Sequence, residues 1–252
     1  MAYPAKVITF LISDVVGNDI STISSGPTYL YKKDFNKALE VLTNYKIKAP
    51  VSILKYLKKM VNEKKIKYTF NVNNSISVIA NPQIALEAAA KKAREYGYYP
   101  IILSDSMSGE SRDLAKFQAS IIKQFSFNKQ ITKKPILFLS GGETTVNLVN
   151  NTQKYGKGGR NSEFILSLAL ELEKTKNFHA IACDTDGIDG SEFNAGAYIN
   201  SNTLLRAKKR KLSPEQYLKK HNSFEFFYKL SDLVVTGPTF TNVNDFRAIL
   251  IY

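Results

Sequence analysis

Short apolar runs rich in β-branched residues alternate with amphipathic helical stretches along this 252-residue chain, and this alternation restricts the fold more than any other feature. Units of this kind pack as an α/β fold, a largely parallel sheet with helices on its faces. Strands are predicted over residues 6–13, 75–80, 99–104, 135–140, 180–184, 233–236 and 247–251. The best-marked helix covers 82–96. Asn81 suits its cap, Pro82 its first position, Glu87 and Lys91 an i,i+4 pair, and Gly97 its end. Leu114, Phe117, Ile121 and Phe125 give a helical stripe in 109–126, and Ile165, Leu168, Ala169 and Leu172 give one in 161–174. The polar stretch Ser126–Lys134 divides the chain into units of residues 1–130 and 131–252.

The strand ends carry more chemistry than the strands. They read Ser13-Asp14, Ser104-Asp105, Ser140 to Glu143, Asp184 to Gly190 and Thr236 to Thr239, each with small, polar or acidic residues. In open α/β sheets ligands collect beyond the carboxyl ends of strands, so these ends predict a site. Next comes "YGKGGRNSEF", Tyr155 to Phe164, which sets glycines and two cations just before an apolar helix. Gly158 and Gly159 allow close backbone approach to an anion. The helix opening near Asn161 or Ser162 supplies N–H groups and the positive end of its dipole. Arg160 adds a planar cationic fork that matches phosphoryl oxygens. The same residues also fit a plain loop with a solvated arginine and Asn161 as a cap.

Known phosphate fingerprints are missing. "SGGETT" and "GKGGRN" lack P-loop spacing, and Asn161 stands where G-x-G-x-x-G needs its third glycine, which counts against a nicotinamide-dependent reductase. "DTDGIDG" is not a calcium loop, since Ala195 occupies its twelfth position. Asp184, Asp186 and Asp189 fit either a Mg²⁺ site or caps of the following turn. Thr239, Thr241, Asn242, Asn244 and Asp245 form a polar loop that can fix a hydroxylated substrate or simply make turns. His179 and His221 stand apart without evident partners. Cys183, the single cysteine, excludes an internal disulfide framework and reads as a small core residue. The net charge of +13 is scattered in lysine pairs, without a nucleic-acid-binding module, so no nucleic-acid partner is expected. The apolar runs are too short to span a bilayer, and no secretory signal opens the chain, so a cytoplasmic location without membrane association is expected.

"SGGETTV", "GKGGRNSEF", "DTDGIDG" and "GPTFTNVND", in that order, resemble the glycerate 2-kinase family, whose C-terminal unit is the MOFRL domain. The resemblance implies that residues 1–130 are a partial Rossmann-like N-terminal domain and 131–252 the smaller MOFRL-like domain. It also implies transfer of phosphoryl from ATP, with Mg²⁺, to the 2-hydroxyl of D-glycerate. By the same resemblance Arg160 meets the transferring phosphate and Asp186 and Asp189 hold metal. Ser140, Gly141, Gly142, Glu143, Gly158, Gly159, Asn161, Thr239, Asn242, Asn244, Asp245 and Asp14 then line the substrate cleft. Phe240 stands where the family's loop usually has glycine, Ser162 where it has glutamine, and "VIANPQ" lacks its Gly-Ser-Asn. Family members carry a further α/β portion, with a lysine thought catalytic, before the counterpart of Ala5. The expectation is therefore a truncated kinase that is inactive without a separate N-terminal fragment and that pairs with such a fragment or self-associates. The alternatives are an NAD(P)H-dependent hydroxypyruvate reductase and a non-catalytic remnant or binding subunit.

Overall fold

The computed structural model of the protein describes residues 5–25, 28, 34–62, 75–127, 134–148 and 155–252. It divides into two compact units, Met1–Phe10 with Asp19–Ser77 and Leu11–Asn18 with Val78–Tyr252. The chain begins with β1 (Ile8–Ile12), α1 (Phe35–Asn44), α2 (Val51–Asn62) and β2 (Ser75–Ala80), and β1 pairs with β2 in a two-stranded sheet. Helices α1 and α2 belong to the smaller unit. Asp34 caps α1 by accepting from the Lys37 amide at 3.0 Å.

The larger unit continues through α3 (Pro82–Glu95), β3 (Tyr99–Glu110), α4 (Ser111–Phe127), β4 (Ile136–Thr145), α5 (Arg160–Glu171) and β5 (Phe178–Asp184). It ends with β6 (Gly196–Asn200), α6 (Thr203–Lys209), α7 (Pro214–Lys219), α8 (Ser223–Leu230), β7 (Leu233–Val234) and β8 (Asp245–Ile251). The α/β class holds, but the sheet, ordered β3-β4-β8-β5-β6-β7, is not mostly parallel. Only β3–β4 runs parallel; β4–β8, β8–β5, β5–β6 and β6–β7 are antiparallel. The reason lies in the connections. Between β5 and β6 the chain turns back without a helix, and β8 enters between β4 and β5 running against both.

The boundary expected at residue 131 lies outside the described residues. The strands before and after it, β3 and β4, pair from Tyr99↔Ile136 to Glu110↔Thr145, so they share one unit. That ladder also corrects the strand lengths. "SDSMSGE" and "SGGETT" were expected as loops but continue β3 and β4, with register shifts near Ser104 and Met107. Gly142 makes this possible: its φ is +108°, and a Cβ there would lie 2.2 Å from the Met107 carbonyl oxygen.

Helix α3 follows its sequence signals, with Asn81 accepting from the Ile84 amide at 2.8 Å and Gly97 at φ +82° beyond its end. Glu87, however, takes its side-chain hydrogen bond from Gln83 rather than Lys91. In β8 alternate residues serve opposite faces: Ile249 and Ile251 join the main core with α4, α5 and α8, and Phe246 and Ala248 pack with Leu86 and Ala90 of α3. Helix α5 buries far more than a stripe. Every residue from Asn161 to Ala169 is buried, and Phe164, Ile165, Leu166 and Leu168 each stabilise by about 1.5–3 kcal/mol on burial. In α4, Ala115, Ala119 and Ile122 are buried apolar positions and Ser111 and Gln118 buried polar ones, while Phe117 is exposed.

Candidate active site

Strand β8 runs against its neighbours, so its first residue lies beside the last residues of β4 and β5. Asp245 is in register with Gly142 on one side and Asp184 on the other. Helix α5 begins next to this point, and its first residue, Arg160, closes the cluster.

Arg160 is held by three carboxylates. Its Nε donates to Asp245 Oδ1 at 2.8 Å, one terminal nitrogen to Glu143 Oε1 at 2.9 Å, and the other to Asp184 Oδ2. Three contacts leave two of the five guanidinium N–H groups without a partner among the described residues. Burial opposes the charge on Arg160, yet Asp245, Asp184 and Glu143 outweigh it and raise its pKa. Burial pushes the Asp184 carboxyl up to about 6, against the pull of Arg160.

Asp245 is the hub of this network. Besides Arg160 it accepts from Asn161 Nδ2 at 2.7 Å, the Thr144 amide at 3.2 Å and Arg247 Nη2 at 2.5 Å. Arg247 is fully buried, reaches Thr144 Oγ1 at 3.1 Å, and stacks over the Phe164 ring at 5.0 Å. A buried carboxylate is tolerable only with such a set of donors. The network fixes Asp245, and Asp245 fixes Arg160.

The structure gives several expected residues other work. Asp189 is buried, and its two oxygens accept from the Asn161 and Ser162 amides at 2.8 Å each. The α5 amides expected to cradle an anion are thus taken by the protein's own carboxylate. Gly159 is the N-cap, with no room for a Cβ, which would lie 2.4 Å from Asp189. Asp186 accepts from the Ile188 amide at 2.8 Å, a turn role. Asp186 and Asp189 therefore do not fit a shared metal, and no metal-sized group of three His, Cys, Asp or Glu occurs among the described residues. Ser140 is a buried strand residue bonded to Gln118, and Gly141 is likewise in β4. Thr239 pins its loop to the Thr185 carbonyl at 2.5 Å, and Asn242 accepts from the Asn244 amide at 2.8 Å. Asn244 donates to the Asp14 carbonyl at 2.6 Å, so Asp14 takes part through its backbone.

Of the expected set, the structure brings Glu143, Arg160, Asn161 and Asp245 together and places Gly158 and Gly159 at an adjoining pocket of ≈ 380 Å³. That pocket is lined also by Thr144, Tyr155, Glu163 and His221. Glu163 and His221 were not anticipated at the pocket, nor Arg247 as a partner of Asp245. His221 has partners after all: Nδ1 lies 3.0 Å from Glu163 Oε1 and 3.0 Å from Arg112 Nη2. The overlooked signal for Arg247 was a charge two residues from Asp245 in an otherwise apolar strand, which places both on one face.

Residues 136–245, which contain Glu143, Arg160, Asp184 and Asp245, match the MOFRL family. They form a MOFRL-family domain. Residues 1–58 match a domain family of unknown function, DUF4147. The chain is 36% identical over 243 residues to a D-glycerate 2-kinase of Thermotoga maritima, covering 96% of this chain and 56% of that protein. It superposes on the crystal structure of glycerate kinase from Thermotoga maritima with a TM-score of 0.85 at 35% identity, over 99% of this chain and 58% of that one. It is also 43% identical over 251 residues to an Agrobacterium vitis protein named "Putative hydroxypyruvate reductase", covering 100% of this chain and 64% of that protein. The chain thus spans little more than half to under two thirds of these relatives' length. Among the described residues no helix is long and apolar enough to cross a membrane, whether in the MOFRL domain or before it.

Proposed function

We propose that the chain acts in ATP-dependent phosphorylation of D-glycerate at its 2-hydroxyl. The observation that carries this reading is Arg160 in the lining of the pocket, kept charged and aimed by Asp245, Asp184 and Glu143, with two N–H donors unpartnered among the described residues. Phosphoryl transfer needs positioning and charge neutralisation more than covalent chemistry, and a pre-aimed guanidinium supplies both. The relatives named as glycerate kinases support the same reaction. Mg²⁺ in this reading arrives with the nucleotide, since the Asp186–Asp189 pair is spent on turn and helix cap.

The competing reading is a hydroxypyruvate reductase, the name that the Agrobacterium vitis relative carries. It requires a nicotinamide cofactor, and the glycine loop before α5 lacks the dinucleotide spacing. The test is to follow ADP release with D-glycerate, and NADH loss with hydroxypyruvate, in parallel. It is run on the chain alone and on the chain supplied with a polypeptide matching the rest of the Thermotoga maritima relative. Glycerate-dependent ADP release supports the kinase; enzyme-dependent NADH loss replaces it with the reductase.

A further inference from the structure

The pocket beside Arg160 has a second charged group that the phosphate argument does not use. Glu163, 2% exposed, points its carboxylate at Arg112 and His221. Arg112 donates there from Nε to Glu163 Oε1 at 2.7 Å and from Nη2 to the Leu218 carbonyl at 2.6 Å, and the same Nη2 lies 3.0 Å from His221 Nδ1. His221 Nδ1 lies 3.0 and 3.1 Å from the two carboxylate oxygens.

This geometry selects a tautomer. Arg112 Nη2 favours a lone pair on Nδ1, but that nitrogen already donates to the Leu218 carbonyl, whereas two anionic oxygens face Nδ1 and an Nδ1–H gives the buried carboxylate a donor it needs. The balance of contacts favours the proton on Nδ1, which leaves the lone pair on Nε2. Tyr155 packs edge-on against the ring at 5.2 Å. The backbone of His221, in the left-handed region at φ +49°, turns the side chain into this position. Nε2 has no hydrogen-bond partner among the described residues, and His221 lines the same pocket as Arg160 and Gly158.

We propose that His221 is the general base of this site, with Glu163 as the residue that positions it. The inference rests on the phosphotransferase reading above. As the substrate hydroxyl oxygen bonds to phosphorus, its proton passes to His221 Nε2 and then to water. The bond from phosphorus to the departing nucleoside diphosphate oxygen breaks, and Arg160 meets the charge on the phosphoryl oxygens. A carboxylate, an oriented imidazole and a reacting hydroxyl in line form the usual arrangement for proton removal near neutral pH.

The competing account is structural: Glu163 and Arg112 simply tie α4, α5 and the turn after α7 together. The chain has two histidines, His179 and His221, so ¹⁵N spectra of histidine-labelled protein show two imidazoles, and His221→Gln assigns them. The expected result is a His221 imidazole with its proton on Nδ1 and an Nε2 resonance that moves on adding D-glycerate. In turnover, His221→Gln lowers kcat on the order of a hundredfold or more with KM little changed, and Glu163→Gln lowers kcat while altering the His221 tautomer signal. An Nε2-protonated tautomer, or a resonance indifferent to D-glycerate, overturns the proposal. So does wild-type phosphorylation that His221→Gln leaves within a fewfold, and that result keeps the kinase reading intact. A glycerate-responsive Nε2 with no phosphorylation in any assembly keeps the substrate contact but overturns both the base role and the kinase reading.

Discussion

Asp189→Ala removes the carboxylate that holds the start of α5, and the structure fixes what is lost. Two hydrogen bonds of 2.8 Å disappear, and the Asn161 and Ser162 amides are left buried at the positive end of the helix. Leaving one buried donor unsatisfied costs about 1–3 kcal/mol, and losing a helix cap about 0.5–2 kcal/mol. Against this stands relief, because burial pushes the Asp189 carboxyl up and so disfavours its charge. The net expectation is a loss of about 2–3 kcal/mol. At about 2–4 °C per kcal/mol for a unit of this size, Tm falls by roughly 4–12 °C. Thermal unfolding followed by circular dichroism measures this directly. Because the freed amides form an anion site, sulfate should restore part of the loss in the variant and give less gain to the wild type. A drop under about 1 kcal/mol with no differential sulfate effect would refute the assignment of Asp189 as the α5 cap.

Arg160→Lys should keep the fold but lower kcat on the order of a hundredfold, because an ammonium cannot hold three carboxylates and a phosphoryl oxygen in one plane; steady-state kinetics within threefold of wild type would return Arg160 to a purely structural role. Asp184 titrates at about 6, so lowering the pH through that value removes a negative charge beside Arg160 and should tighten sulfate binding. Calorimetry should show this step in wild type and its loss in Asp184→Asn, and a pH-independent wild type would contradict it. Phe240 is 94% exposed at φ +58°, a conformation that costs a non-glycine residue about 1–2 kcal/mol. Phe240→Gly should therefore stabilise the unit by about 0.5–1 kcal/mol after the entropy glycine gives the unfolded chain, and a destabilised variant would show that the ring is anchored.

Much of the fold was legible because its signals are local. Helix α3 announces itself through Asn81, Pro82 and Gly97, and the apolar cores of β2, β4 and β8 read as strands from residue type alone. Strand direction was not legible. It depends on where β8 inserts, a long-range choice that no window of sequence contains. The site divided in the same way. Arg160, Glu143 and Asp245 were found because each sits in a motif of glycines or clustered polar residues. Asp189 was identified as an acid near the site, but its role was misread, because only the fold shows that its carboxylate reaches the α5 amides. Glu163, Arg112 and His221 lie up to 109 residues apart, and only the packing of α5 against α4 and α7 makes them neighbours.

The measurement that bears most directly on the central claim is phosphorus NMR of the protein with ATP and D-glycerate, alone and with the complementary polypeptide. The account predicts a new phosphomonoester resonance of 2-phosphoglycerate, growing with ADP and abolished in Arg160→Met. ATP left unchanged in both assemblies, or an ester that still forms at the wild-type rate without Arg160, would contradict it.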